Sequence, residues 1–458
     1  MNTATRLTQL HLGLGSFHRA HQAVYLQRLI EQGDDHWQII GGNIRPDMAE
    51  VLDAIKRQGG YTLETVTSQG ERAYQYIEAI RDIVPYDEEL NGLAAVAALP
   101  STRIISFTVT EAGYYLDGKD QLDISLSDIA DDLSGERRCT IYGALAYLLE
   151  QRRLAGAGPV TLLNCDNLRS NGQRFATGFK QFLHALGQLE LTDWVDANVS
   201  TPNSMVDRIT PRPTPDVAER VKAATGRDDQ VALMGESFIQ WVIEDDFVAG
   251  RPAWEKAGAE LVLDVMPYEE AKIRLLNGTH SCIAWAGIMK GYDFIHQGAQ
   301  DDEVRRLAYD YVTDCAIPCL TPSPLPLEGY RDVVLDRFSN ANICDTNQRV
   351  AMDGYAKIPG FLLPTIRECL AQGRSLLAIA KVLALFLRFL QEREAGNVNF
   401  TYEDQAMPAG SEQWILGADD VVAAFCKDPI LFEEIAGNHE LTEAVRQGYQ
   451  DVLTIGCS

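Results

Sequence analysis

The chain has no stretch long and apolar enough to span a bilayer. Its most apolar run, residues 376–390, is interrupted by Lys381 and Arg388, and it falls short of the roughly 20 apolar residues that a hydrocarbon core demands. It reads as a buried helix. An excess of positive charge is also lacking: 40 Lys and Arg stand against 65 Asp and Glu, a net charge of -25. Nucleic acid and anionic membranes both need basic residues to displace counterions, so neither is an expected partner. A cysteine framework is missing too. The nine cysteines are scattered and odd in number, and only Cys315 and Cys319 are close. Their C-x3-C spacing lies in a Pro-rich segment without a matching pair, which offers no closed zinc site. The start, MNTATRLTQLHLGLG, has no long apolar run or small-residue cleavage site. Reduced thiols in a cytoplasmic setting are therefore expected. A small anionic cofactor stays compatible with the acidic balance, because backbone N–H groups and helix ends bind anions locally.

What is present suits a soluble globular protein, with 46% hydrophobic and 23% charged residues. At 458 residues the chain is too long for one ordinary core and suggests two domains. The first half alternates short apolar runs with helical patterns, the mark of a parallel sheet flanked by helices. Strands are expected at residues 7–12, 37–40, 103–109 and 160–163, with a helix over about 19–32. From about residue 267 helical patterns take over, at 268–276, 303–315, 376–391 and 441–453. The fold class expected is α/β: a Rossmann-like doubly wound sheet over residues 1–265, then a mostly α-helical substrate and catalytic domain over 266–458, with the active site in the cleft between them.

In open parallel sheets ligands bind at the carboxyl ends of the strands. The first strand runs into Gly13-Leu14-Gly15-Ser16-Phe17-His18-Arg19. Gly13 permits the tight turn and Gly15 lets the backbone approach a pyrophosphate at a helix N-terminus; the usual third glycine is replaced by His18. The strand at 103–109 ends in Thr110-Glu111. Gly13, Gly15, Phe17, His18, Arg19, Thr110 and Glu111 are thus the candidate cofactor contacts. After the second strand, Asp47 is the candidate for the ribose hydroxyls of NAD, whereas Arg45 suits the extra phosphate of NADP; NAD is the favoured cofactor.

The sharpest segment is Pro267-Tyr268-Glu269-Glu270-Ala271-Lys272, followed by Ile273 to His280. Pro267 suits a first helical turn and the two glutamates its positive end. At about 100° per residue, Lys272, Glu269 and His280 fall near 0°, 60° and 80°, and Asn277 near 140°. A helix continuing through Gly278 gathers these polar groups on one side. Taken alone, the pattern equally fits a solvated Lys272, Glu269 as its surface partner, Asn277-Gly278 as a helix C-cap and His280 in the core.

The chain resembles the polyol-specific long-chain dehydrogenases, the mannitol dehydrogenase family, nearly end to end. The resemblance rests on LHLGLGSFHRAHQA, TVTEAGYY, LLNCDNLRSNG, PNSMVDRITPRP, YEEAKIRLLNGTHSCIAWAG and DTNQRVAMDGYAKIP. It implies Lys272 as catalytic base, Asn167 and Asn277 as the groups that hold the reacting oxygen, and His280 as a binder of substrate hydroxyls. It further implies Val206, Asp207, Arg349 and Lys357 as substrate contacts and Glu269 as the relay of protons to solvent. G-x-G-x-x-H is the family's own variant of the dinucleotide fingerprint.

The activity implied is metal-independent, NAD-dependent oxidation of a polyol secondary alcohol to a 2-ketose. D-arabinitol to D-xylulose is the first candidate; mannitol 2-dehydrogenation and reduction of fructuronate or tagaturonate are alternatives. In a uronate reductase, Arg349 or Lys357 binds a carboxylate. Free lysine has a pKa of about 10.4 and a useful base wants about 7–8, so burial of Lys272 is expected to lower it. The expected partner is a small sugar alcohol or ketose, and the expected state is a monomer. A catalytically silent dinucleotide-binding protein has no need of Lys272, Asn277 and His280 together.

Overall fold

The strand Leu7–Leu12 sits in the middle of a six-stranded, all-parallel sheet. The computed structural model describes residues 6–456 of the chain. Across the sheet the order is Ile80–Ile83, Trp37–Gly42, Leu7–Leu12, Thr102–Phe107, Val160–Asn164 and Val199–Ser200. Successive strand residues point to opposite faces, and here each face meets its own core. Leu10, Leu12, Ile105, Phe107, Val160 and Leu162 enter one cluster, whereas Ile39, Ile104 and Leu163 enter the other. A sheet buried on both faces reads as continuous apolar runs, which is why these strands were legible. The N-terminal half is therefore a doubly wound, Rossmann-like sheet.

The chain builds outward from Leu7–Leu12 on one side and then returns to build outward on the other. The reversal lies between Leu7–Leu12 and Thr102–Phe107, and a crevice at the carboxyl ends of two such strands is where open α/β sheets take ligands. Gly13 and Thr108 stand there. Two small three-stranded sheets accompany the main one. They join Leu233–Glu236, Tyr61–Val66 and Arg72–Ile77, and Glu260–Val262, Gln240–Glu244 and Ser204–Asp207. Their strands are short and mostly mixed in polarity, and sequence reasoning missed them. The helix expected over residues 19–32 is two helices, Ser16–Ala20 and Gln22–Glu31. The break is at His21, whose Nε2 lies 2.8 Å from the Gln240 carbonyl oxygen.

The chain divides into two compact units, one running to Val66 and from Arg72 to Met266, the other comprising Thr67–Glu71 and the chain from Pro267 onward. The second unit is helical. Its apolar run is the helix Leu377–Glu394, in which Ile379, Val382, Leu383, Leu385, Phe386, Leu387, Phe389 and Leu390 are buried. Each such side chain contributes about 1.5–3 kcal/mol on burial. The two charges that interrupt the run serve the neighbouring helix His439–Val452: Lys381 pairs with Asp451 at 3.2 Å, and Arg388 donates to the carbonyls of Val452 and Ile455. Among the described residues no helix is long and apolar enough to cross a membrane.

Candidate active site

In the first unit the turn after Leu7–Leu12 is built for close approach. Gly13 has φ +95°, and a Cβ there would lie 2.6 Å from the Thr108 carbonyl oxygen, so only glycine fits. Thr108 Oγ1 donates back to the Gly13 carbonyl at 2.9 Å. Around Gly15 a Cβ would meet nothing nearer than 3.9 Å, which leaves the backbone open to an approaching group. Leu14 N–H donates to Asn43 Oδ1 at 3.0 Å, and the Asn43 amide donates to the Asp47 side chain at 3.1 Å. One asparagine thus joins the loops after the first two strands and holds the exposed Asp47. Arg45, the candidate for a phosphate, is instead bonded to the Tyr115 hydroxyl at 2.9 Å, the Cys139 carbonyl at 3.1 Å and Asp128 at 3.3 Å.

Two of the expected cofactor contacts have buried side chains. The side chains of His18 and Arg19 are 0% and 2% exposed. His18 stacks on His11 with ring centroids 3.4 Å apart, and the Arg19 guanidinium donates to the Val231 carbonyl at 2.9 Å. Both side chains support the turn from within. Phe17 is half-buried and stacks on His21 at 5.0 Å.

Sequence reasoning also missed Asp166 and Asn171, although both lie in NCDNLRSNG. Asp166 Oδ1 accepts the N–H groups of Val109 and Thr110 at 2.9 and 2.8 Å, and Oδ2 accepts the Tyr114 hydroxyl at 3.1 Å. The clamp fixes the start of Thr110-Glu111, where Thr110 adopts φ +63°. Burial outweighs these hydrogen bonds and pushes the Asp166 carboxyl up to about 6. Asn171 bonds the carbonyls of Asp166 at 3.0 Å and Ser204 at 2.8 Å, tying the exposed Asn167 loop to the strand that carries the buried Val206 and Asp207. The signal available was an asparagine-rich cluster after a buried strand.

In the second unit Pro267 begins one continuous helical path. Met266–Ala271 is α-helical, Lys272–Asn277 is a π turn, and Gly278–Met289 is α-helical again. The uniform 100° spacing expected from sequence is thus corrected. A π turn closes its hydrogen bonds from i to i+5, which brings Lys272 and Asn277, five apart, to its two ends. The C-cap alternative is also corrected, since Gly278 has helical φ -62° and ψ -43°. Glu269 and Lys272 are buried, at 5% and 7% exposure. Arg274, inside the π turn, pairs with Glu270 at 2.8 Å and with both oxygens of Glu368 at 2.9 Å.

One turn past the π segment, His280 stacks on Phe338 at 4.4 Å, and its Nε2 lies 3.1 Å from Asp345 Oδ2. Asp345 also receives Nε and Nη2 of Arg349 at 2.8 and 2.6 Å. Burial raises the Asp345 carboxyl, but hydrogen bonds and charge from His280 and Arg349 prevail and hold it well below the usual carboxylate range. Burial lowers His280, and Asp345 only partly offsets this. Lys357 Nζ donates to the Val350 carbonyl at 2.5 Å, and burial lowers the amine to about 8. His280 and Arg349 therefore meet on one carboxylate, with Lys357 in the same electrostatic field. Asp345 was not singled out from sequence; it precedes Thr346, the N-cap of Asn347–Ala351, and reads there as an ordinary loop acid. Among the described residues no group of three or more His, Cys, Asp or Glu is placed to hold a metal ion.

Residues 8–256 match the mannitol dehydrogenase Rossmann domain and residues 264–453 the mannitol dehydrogenase C-terminal domain. The chain belongs to the mannitol dehydrogenase family. It is 58% identical to a D-arabinitol 4-dehydrogenase of Ralstonia nicotianae over 96% of this chain and 95% of the relative. It is 48% identical to a D-arabinitol 4-dehydrogenase of Klebsiella pneumoniae, covering 98% and 99%. Its fold is similar to that of Pseudomonas fluorescens mannitol 2-dehydrogenase, solved as a ternary complex with NAD and D-mannitol. That match has a TM-score of 0.82 and 35% identity, and covers 99% of this chain and 93% of the other. A D-sorbitol dehydrogenase in substrate-free form matches with a TM-score of 0.89 and 32% identity, covering 98% and 94%.

Proposed function

We propose that this protein oxidises a secondary alcohol of a sugar alcohol to a 2-ketose with NAD and without a metal, and that D-arabinitol, giving D-xylulose, is its substrate. The observation that carries this reading is the π turn in the second unit, which carries buried Lys272 at one end and Asn277 at the other, with His280 following at once. Two relatives at 58% and 48% identity that are D-arabinitol 4-dehydrogenases support the choice of polyol.

The first unit fits a dinucleotide. The Gly13 turn stands at the point where strand order reverses, no side chain can occupy it, and Gly15 leaves the backbone approachable. Asp47, exposed and held by Asn43, suits the ribose hydroxyls, whereas Arg45 is already bonded to Asp128. These two observations support NAD over NADP. Hydride acceptance is the chemistry that NAD supplies when bound.

The protein's residues do the rest. Lys272 takes the hydroxyl proton, and Glu269, three residues earlier on the same helix, passes it toward solvent. Asn277 and Asn167 are the amide donors assigned to the oxygen as its charge develops, in the manner of an oxyanion hole. His280, with Nε2 turned to Asp345, Arg349 and Lys357 hold the remaining hydroxyls, and Val206 and Asp207 complete the substrate contacts. The working state is a monomer.

Initial rates with D-arabinitol, D-mannitol, D-sorbitol, xylitol and L-arabinitol, each with NAD and with NADP, test the reading. D-arabinitol with NAD should give the highest kcat/KM, with D-xylulose as product. Turnover of none of the five polyols would overturn it.

A further inference from the structure

The carboxylate at the centre of the second unit's polar cluster bears on which substrates the site accepts. Asp345 has a side chain only 12% exposed, and its two oxygens take Nε and Nη2 of Arg349 at 2.8 and 2.6 Å. Those two nitrogens form the planar edge with which arginine grips a carboxylate through paired bonds. In this protein the protein's own carboxylate already occupies that edge. The Oδ2 atom that bonds Arg349 also faces His280 Nε2 at 3.1 Å. Lys357, the other cation of the cluster, donates to the Val350 carbonyl and lies in the fields of Asp353, Asp404 and Asp345.

We propose that Asp345 is a specificity-determining residue. It neutralises Arg349 and places a fixed negative charge beside His280, so that the site selects uncharged polyols against aldonates and uronates of the same carbon skeleton. A carboxylate-bearing substrate has to displace Asp345 from Arg349 or accept a second negative charge beside it, and both are unfavourable beside a carboxylate that is itself largely buried. A polyol hydroxyl meets neither obstacle, because a neutral oxygen can accept from an Arg349 donor while Asp345 keeps its pair. The residue thus supplies the repulsive half of specificity, and the hydroxyl-binding side chains supply the attractive half. The inference rests on the reading of this cluster as the polyol site.

The test compares kcat/KM with NAD for two matched pairs, D-arabinitol with D-arabinonate and D-mannitol with D-mannonate. The proteins are the wild type, Asp345→Asn, Asp345→Glu and the double variant Asp345→Asn/Arg349→Gln. The wild type should prefer the polyol in each pair. Asp345→Asn should shift the ratio toward the aldonate by about fivefold to tenfold, the scale of one partly screened charge contact. Asp345→Glu should keep the wild-type preference, and the double variant should shift less than Asp345→Asn, because the freed guanidinium is gone and only the relief of repulsion remains. A ratio for Asp345→Asn within about twofold of wild type overturns the proposal, as does a shift in the double variant as large as that of Asp345→Asn. If Asp345→Asn fails to fold, the wild type still decides. D-arabinonate should inhibit D-arabinitol oxidation with a Ki at least about tenfold above the KM of D-arabinitol, and a Ki equal to that KM overturns the proposal. A wild type that oxidises no polyol sinks the reading of the site itself. One that oxidises polyols while Asp345→Asn shifts nothing sinks only the role of Asp345.

Discussion

The Tyr311 hydroxyl donates a 2.8 Å hydrogen bond to the carbonyl oxygen of Arg274, inside the π turn between Lys272 and Asn277. Tyr311 is fully buried. A Cβ at position 278 would lie 2.5 Å from the same hydroxyl, so Gly278 makes the room that Tyr311 needs. A π turn interrupts the regular α-helical bonding, and a buried carbonyl without a partner costs about 1–3 kcal/mol. Tyr311→Phe should lower stability by about that amount and lower kcat, while dinucleotide affinity stays unchanged. Thermal unfolding and initial rates check this. An unchanged melting temperature together with unchanged kcat would show that the π turn holds its shape without Tyr311.

That pairing also marks the limit of what could be read from sequence. The strand Leu7–Leu12 was legible because a strand buried on both faces is apolar along its length and ends at a glycine that only a positive φ explains. The helix Leu377–Glu394 was legible from its length and apolar content. The π turn was not. Its residues keep the apolar and polar order of an α-helix, and one widened turn changes which residues share a face without changing any residue type. Asp345 and Asp166 were hidden for a related reason. Each acts through partners distant in sequence, such as His280 65 positions away and Val109 57 positions away, and an isolated acid in a loop carries no periodic signal. His18 and Arg19 show the converse. Their place in a cofactor motif suggested contact with the ligand, yet their side chains turn into the core and brace the loop.

Lys272→Ala should abolish nearly all alcohol oxidation while dinucleotide binding, followed by fluorescence titration, is retained. The variant removes the amine assigned to accept the hydroxyl proton but leaves the Gly13 turn of the first unit intact. An added primary amine should restore part of the rate. Retention of more than about a tenth of wild-type turnover corresponds to a loss of only about 1.4 kcal/mol in barrier stabilisation, too small for the base of the reaction.

Prolonged dialysis against EDTA should leave turnover unchanged. The proposed chemistry places an amine and two amides where a metal-dependent alcohol dehydrogenase polarises its substrate with zinc. Activity that disappears on dialysis and returns with added zinc would overturn the metal-free mechanism.

Acid should weaken dinucleotide binding through Asp166. Its carboxyl, pushed up to about 6 by burial, is ionised at neutral pH and takes a proton below that value. A neutral carboxyl accepts hydrogen bonds more weakly than a carboxylate, so the hold on Val109 and Thr110 loosens and the KM for NAD should rise as pH falls through about 6. The effect on stability has the opposite sign. The folded value lies above the unfolded one of about 3.9, so folding takes up a proton between the two. The contribution of this group to stability therefore declines as pH rises from about 4 to about 6 and is level above. Asp166→Asn should remove both steps. A KM for NAD that keeps its acid rise in that variant would assign the effect to another group.

Asn277→Ala should lower kcat far more than it raises the KM for the polyol. Asn277 ends the π turn that begins with Lys272, and its proposed partner is an oxygen that gains negative charge only as the proton leaves. An interaction realised in the transition state appears in kcat, whereas one made equally with the bound substrate appears in KM. Loss of one such donor typically costs about 10²–10³ in rate. Asn167→Ala should show the same pattern if its amide serves the same charge. Asn277→Asp is the more searching variant, because it keeps size and shape while replacing a donor with a group that repels the developing alkoxide. It should be at least as slow as the alanine variant, with the polyol KM again little changed. If both Asn277 variants instead raise KM and leave kcat near wild type, Asn277 positions the polyol chain in its ground state. The charge on the oxygen would then have to be met by another donor, and the assignment of the π turn as the catalytic element would rest on Lys272 alone.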